Sequence, residues 1–180
     1  NKDRKTKEKY YISLLDNELN EKNIILNKLV EKLFVGEKSI KPFHWDLEFP
    51  EVFDNDNRGF DLIVGNPPYA GNTTLVKSYP KTIHGWFKNI HPSSGGQCDL
   101  VAHFFRRSFD LLKEGGVFGL IATNTIAEGD TRDSGLKWIC QNNGNIYSAR
   151  KKYRWPGVAS VIVSTVHTIK GTYSGKKSLN

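Results

Sequence analysis

The sequence predicts an α/β domain with a mostly parallel sheet, and three observations predict it. Short apolar runs bounded by turn residues recur at "FDLIV" (60–64), "VFGLIA" (117–122), "NIYSA" (145–149) and "VASVIVSTVHTIK" (158–170), the pattern of buried strands. Segments of helical spacing separate the first three runs, so the order is strand, helix, strand, helix, then two strands. At 180 residues, with 38% hydrophobic and 25% charged residues, the chain is long enough and apolar enough for one globular domain with a real core.

The elements follow in chain order. Residues 1–9 are a charged lead-in, and Tyr11, Leu15, Leu19, Leu26, Leu29, Val30 and Leu33 recur near helical spacing up to Phe34. A helical lead-in over residues 1–40 is expected, as one helix or two broken near Asn20 to Asn23. "FHWDLEFPEVFDNDN" (43–57) carries Asp46, Glu48, Glu51, Asp54 and Asp56 without Lys or Arg, and reads as an acidic, turn-rich loop. A buried strand over Phe60 to Val64 comes next. Asp99 is placed to cap a helix from Leu100 to Lys113, with Phe104, Ser108, Leu111 and Leu112 on one face and Gly115-Gly116 as its stop. Thr123-Asn124-Thr125 opens a polar loop, and a helix from Asp130 or Thr131 reaches Gln141 before Asn142-Asn143-Gly144. Two strands close residues 41–170, and 171–180 reads as a polar linker.

No apolar run approaches the roughly 18 residues of a membrane span, and no signal-peptide pattern opens the chain, so a cytoplasmic setting is the default. The chain opens Asn1-Lys2-Asp3 and holds no Met, as expected of a piece of a longer polypeptide. Cys98 and Cys140 stand apart and read as buried thiols, and the histidines show no ligand spacing, so no metal is expected. The net charge of +7 is unevenly spread. From Leu62 to Cys98 there is no Asp or Glu, while Lys77, Lys81 and Lys88 alternate with Tyr79, Trp86 and Phe87. A second acid-free stretch, "NIYSARKKYRWPG" (145–157), sets Arg150, Lys151, Lys152 and Arg154 among Tyr147, Tyr153 and Trp155. Cations interleaved with aromatics suit a phosphate backbone whose bases can stack, although a solvated basic face has the same composition.

The residues that bear chemistry follow the first strand, in "GFDLIVGNPPYAG" (59–71). Pro67 and Pro68 cannot donate to a ladder, and Asn66, before a proline, is driven extended, so the chain leaves the sheet in a stiff corner. In α/β proteins ligands bind at this carboxyl edge. Such a corner suits an exocyclic purine amine, whose lone pair is delocalised into the ring. Two acceptors on its N–H groups, the Asn66 side-chain oxygen and the Pro67 carbonyl, favour a pyramidal nitrogen that attacks an electrophile. Tyr69 is placed to stack on a base that has left its helix.

"FDLIVGNPPY" resembles the catalytic signature of the amino-group methyltransferases that use S-adenosylmethionine, specifically the adenine-N6 DNA methyltransferases. An Asn/Asp/Ser-Pro-Pro-aromatic string arises by chance in roughly one chain in two hundred of this size, and a preceding buried strand makes accident rarer. "HWDLEFPEVF", "CDLVAHFFRRSFDLLKEGGVFGLIATNTIAEGDTR" and "WPGVASVIVSTVHTIKG" extend the similarity over about residues 42–171, to the large bacterial enzymes that fuse a restriction nuclease to an adenine methyltransferase and to their nuclease-free relatives. The resemblance implies a Rossmann-like class I methyltransferase fold, S-adenosylmethionine as cofactor, double-stranded DNA as partner, and Asn66, Pro67, Pro68 and Tyr69 as the catalytic residues. It implies that Phe104 lies against the cofactor's adenine, which on the residues alone is a core position of an amphipathic helix. It also implies that Asp46 matches an acidic cofactor contact, and that Trp155 touches the target base from its other side, where plain packing is the other reading. The family's glycine-rich cofactor loop and ribose-binding acid have no counterpart here. The chain is therefore expected to hold the second half of a catalytic domain, with the apolar edge of its catalytic strand exposed and cofactor binding weak when isolated. A fused nuclease and a target-recognition domain are expected outside it. A protein glutamine or RNA amine as substrate, and a non-catalytic DNA-binding relative, are the alternatives.

Overall fold

The computed structural model describes residues 13, 16–17, 19–22, 24, 28, 43–54, 56–71, 74, 83–155 and 161–180. The chain divides into two compact units, residues 1–49 and 50–180. In the first, the expected helical lead-in lies largely outside the described residues. There α1 (Trp45–Glu48) carries Asp46 in its first turn, and the Trp45 ring stacks on Phe49 at 5.7 Å while meeting Phe43 edge-on at 5.0 Å.

The second unit is built on a five-stranded sheet of order β1-β2-β4-β3-β5. Its strands are β1 (Phe60–Gly65), β2 (Leu112–Thr123), β3 (Gly144–Arg154), β4 (Ile162–Lys170) and β5 (Ser178–Leu179). β1 runs parallel to β2 and β5 parallel to β3, while β4 pairs antiparallel with both β2 and β3. Four strands therefore point one way and β4 is inserted against them, so the α/β, mostly parallel expectation holds. Helices α2 (Pro50–Phe53), α3 (Ile83–Ile90) and α4 (Leu100–Asp110) precede β2. After it come a 3-10 turn (Asn124–Ala127), α5 (Gly129–Arg132), a π-helical stretch (Asp133–Lys137) and α6 (Trp138–Gln141).

The core lies between β2 and the helices. Phe118, Leu120 and Ala122 alternate towards Val101, Ala102, Phe105 and Phe109 of α4, with Ile126 and Ile139 closing the layer. Phe105 meets Phe118 edge-on at 5.5 Å. Each such side chain contributes about 1.5–3 kcal/mol by leaving water. The π-helical stretch brings Gly135 against α4, where a side-chain methyl would lie 3.1 Å from the Ala102 Cβ. The entry to β1 depends on Gly59 at φ 119°, because a Cβ there would overlap the backbone of Leu112 and Lys113.

Several details differ from the sequence reading. α4 stops at Asp110 and β2 begins at Leu112, which pairs with Phe60 of β1, and Lys170 bonds the Phe109 and Leu112 carbonyls there at 3.3 and 2.7 Å. Gly115 and Gly116 lie inside β2 rather than ending a helix. The buried stripe of α4 is Val101, Phe105 and Phe109, whereas Phe104 is 41% exposed. β1 does not read as a buried strand in place: it is the sheet edge among the described residues, with Leu62 58% and Val64 71% exposed and Ile63 alone packed on the core. That is the exposed apolar edge expected above. β3 runs five residues beyond Ala149, to Arg154, because the β4 ladder continues to the Arg154–Ile162 pair. Residues 158–160, expected as the start of the last strand, lie outside the described residues. Cys98 is buried as expected, but Cys140 is exposed on α6. Within the segment read as a linker, β5 pairs with β3 and Tyr173 stacks on Tyr147 at 5.1 Å.

Candidate functional site

The corner after β1 is fixed at both ends. β1 delivers Gly65 beside Leu120 of β2, and the chain then turns out of the sheet at Asn66. Asn66 and Pro68 are exposed, Pro67 is buried, and Tyr69 is half-buried with its ring on the core cluster. The Tyr69 hydroxyl donates to the Asn66 side-chain oxygen. Burial pushes the Tyr69 phenol above its ordinary range, so it stays protonated and able to donate at neutral pH. Beyond the corner, the Leu100 N–H donates to the Ala70 carbonyl at 3.0 Å. The Asp99 carboxylate lies so close to Gly71 that a methyl there would meet it at 3.3 Å. The corner is thereby tied to the first turn of α4. One helical turn later, about 6 Å along the axis, stands the exposed ring of Phe104.

The loop that leads into α4 is held by the next helical run. The Gly95, Gln97 and Asp99 N–H groups donate to Ser134 Oγ, Asp130 Oδ2 and Thr131 Oγ1 at 2.8, 3.2 and 3.1 Å. Beneath it, His91 and His103 share a hydrogen between their Nδ1 atoms at 2.8 Å, and Phe87 of α3 stacks on His103 at 4.1 Å. Arg106 donates to the Pro92 carbonyl at 3.1 Å and covers the Trp138 ring at 4.0 Å. Burial first, then the His103 and Arg106 charges, pull His91 down to about 3, so it is neutral at physiological pH. This packing carries α3, with its exposed Trp86 and Lys88, against the body.

The second basic stretch lies on the far end of β3. Arg150, Lys151, Lys152, Arg154 and Trp155 are all exposed. The β3–β4 register shifts between Arg150 and Tyr153, and inside that bulge Lys152 takes φ 53° while Arg150 covers the Tyr153 ring at 4.2 Å. β1, β2 and β3 all end at this edge of the sheet, where β4 begins, so the corner and the basic strip share one rim. Three strand spacings of about 4.8 Å separate them, roughly 14 Å. Lys77 and Lys81 lie outside the described residues. Asp46 belongs to the first unit, exposed on α1. The structure thus relates Asn66 to Tyr69 with Phe104 through the Ala70–Leu100 bond, and puts Arg150 to Trp155 on the same rim. Sequence reasoning missed Asn124, whose side-chain oxygen accepts from Ser164 Oγ at 2.9 Å and from the Lys152 N–H at 3.3 Å. No local pattern signals it, because both partners are remote in sequence. Among the described residues no cluster of three or more His, Cys, Asp or Glu suits a metal ion, and no helix is long and apolar enough to cross a membrane.

Residues 2–148 match the family described as the Eco57I restriction-modification methylase. The chain belongs to this family. Among Eco57I-type relatives it is 33% identical over 90 residues to the type II restriction enzyme and methyltransferase RM.Eco57I of Escherichia coli, covering 50% of this chain and 9% of that protein. A protein of Methanocaldococcus jannaschii described as a type II restriction enzyme and methyltransferase, RM.MjaORFECS2P, is 31% identical over 121 residues, 67% of this chain and 9% of the relative. The region matched is therefore about a tenth of either relative's length. Two solved structures share the fold. The type IIL restriction-modification enzyme MmeI in complex with DNA superposes with a TM-score of 0.52 at 19% identity, over 64% of this chain and 16% of that one. A class I S-adenosylmethionine-dependent methyltransferase from Listeria monocytogenes gives 0.50 at 16% identity, over 67% and 36%. The resemblance read from the sequence and the Rossmann-like class I methyltransferase fold it implied are both borne out for the Eco57I-type chain.

Proposed function

We propose that this Eco57I-type chain is the second half of a methyltransferase catalytic domain that transfers a methyl group from S-adenosylmethionine to the N6 amine of a flipped adenine in double-stranded DNA. The reading rests chiefly on one observation: an exposed Asn66 held at a proline corner, at the carboxyl edge of the sheet, in a chain of this family. The larger polypeptide would supply the rest of the cofactor site, a target-recognition domain and a fused nuclease.

Asn66 and Pro67 act as acceptors for the two amine hydrogens, with Pro68 keeping the corner stiff. Tyr69 has two parts to play. Its hydroxyl holds the Asn66 oxygen until a base arrives, and the amine then takes over that acceptor in a one-for-one exchange of hydrogen bonds, which costs little. The Tyr69 ring, already braced on the core, is the stacking face for the base. S-adenosylmethionine, when bound, supplies a methyl group on a positively charged sulfur and keeps the electron pair of the broken carbon–sulfur bond. The amine gains the methyl and releases one proton to water, so no strong base is needed beside the corner. The exposed Phe104 fits this cofactor: an aromatic ring left 41% open, one turn from the Leu100–Ala70 tie, offers a flat face for an adenine at little cost in protein stability. Lys77, Lys81, Lys88, Arg150, Lys151, Lys152 and Arg154 would neutralise phosphates, and Trp155 would close on the base from its other side.

The test is Asn66→Ala in the full-length polypeptide. Methylation of duplex oligonucleotides should fall at least about a hundredfold, the loss expected for one preorganised polar contact, while DNA retention stays near wild type. Unchanged turnover would remove Asn66 from the mechanism.

A further inference from the structure

We propose that Asn124 is a positioning residue that shapes a phosphodiester subsite on the β3–β4 end, formed by Lys152 and Arg154 over the apolar floor of Val161 and Ile162; this rests on the DNA reading above. These four side chains line a concavity of about 330 Å³. Its cations are exposed, and so are Val161 and Ile162, at 45% and 55%. Aliphatic carbons beside two cations match the two chemistries of a sugar–phosphate, a charged group and an apolar ring edge.

The shape of the concavity depends on a backbone that does not hold itself. Lys152 sits at φ 53°, the left-handed region that a side chain disfavours, inside the β3 bulge where the β4 ladder is interrupted. Its N–H therefore has no ladder partner, and it is the Asn124 oxygen that accepts it, at 3.3 Å. The same oxygen takes the Ser164 hydroxyl at 2.9 Å, which anchors Asn124 to β4. Asn124 starts the 3-10 turn that continues β2, the strand adjacent to the catalytic corner's own strand. One side chain thus ties the ends of β2, β4 and β3 and aims the Lys152 and Arg154 side chains. Strained residues persist only where the surroundings over-determine them, and Asn124 supplies that constraint. On the other side of the bulge, Lys151 donates its own N–H to the Asn180 carbonyl at 2.8 Å, so the bulge is held from both edges.

Three variants of the full-length polypeptide separate the possibilities: Asn124→Ala, Lys152→Gly and the two together. Binding to a fluorescent duplex is followed over a salt series, and amide exchange at residue 152 is measured in parallel. Asn124→Ala should speed exchange at residue 152 and lower the salt slope by about one to two phosphate contacts, each worth about 0.9 in the slope. Lys152→Gly loses one contact by itself. Glycine adopts the left-handed conformation without Asn124, so the double variant should match Lys152→Gly alone. Asn124→Ala with wild-type exchange and slope would overturn the proposal, and so would a double variant that loses the sum of the two single effects. Wild-type protein without salt-dependent DNA binding would instead sink the DNA reading itself, a result told apart by its appearing before any substitution is made.

Discussion

Phe104 and Phe105 are neighbours on α4 with opposite duties. Phe105 is fully buried and meets Phe118 edge-on, whereas Phe104 is 41% exposed and faces away from the core one turn after the tie to the corner. A helix turns by about 100° per residue, so one step in sequence separates the layer that holds the domain together from a side open to solvent. Evolution can then alter what the outer face touches without unpacking the inner one, because the two residues share a helix but no contact surface.

The contrast is easiest to break from the inside. Phe105→Ala should lower stability by about 3–5 kcal/mol, as large-to-small changes in a closed core do, with any loss of cofactor binding following the unfolded fraction; a denaturant midpoint within error of wild type would dissolve the distinction. Acidification acts on different packing, through His91, which stacks on His103 of α4. Its folded value lies near 3, below the ordinary 6.5, so between these values the unfolded chain binds more protons and stability falls as the pH drops through that window. The slope is at most about 1.4 kcal/mol per pH unit, and His91→Gln should flatten it in urea titrations at stepped pH; an unaltered slope would show that acid acts elsewhere. Phe104→Ala sharpens the contrast from the outside, with stability changed by about 0.5 kcal/mol or less and S-adenosylmethionine affinity of the full-length polypeptide reduced about tenfold by calorimetry. Equal affinity in the variant would return Phe104 to a surface role. Least costly to the fold is neutralising Arg150, Lys151 and Lys152 together, which should flatten the salt dependence of DNA binding by up to about three contacts and leave the melting temperature in place. A slope like that of wild type would mean that the strip faces away from DNA.

The two phenylalanines also mark where the sequence stopped being legible. The strands were readable as short apolar runs and the corner because Pro67 and Pro68 impose their geometry locally, whereas Gly115-Gly116, read as a helix stop, lies inside β2. The inner stripe of α4 was not, because Phe104, Ser108 and Leu111 form as plausible a face as Val101, Phe105 and Phe109, and only the position of β2 chooses between them. The length of β3 was hidden for a related reason. Arg150 to Arg154 lack apolar alternation, and the strand continues past the bulge at Lys152 through backbone pairing of Arg150, Tyr153 and Arg154 to β4 and the Asn180 bonds rather than through burial. The exposure of Leu62 and Val64 was legible only through the resemblance, from which an exposed apolar edge on this strand was expected. Asn124 left no trace, since its partners lie 28 and 40 residues away.

The insertion of β4 against its neighbours carries a consequence for how the molecule assembles. Arg154 pairs with Ile162 only a few residues on, so β3 and β4 close as a hairpin at little entropic cost, while the pairing of Phe60 with Leu112 must draw together a far longer stretch of chain. The rim bearing the cations is therefore expected to order early in refolding and β1 late. On the function proposed above, the phosphate contacts of this rim would then form before the corner that holds the base.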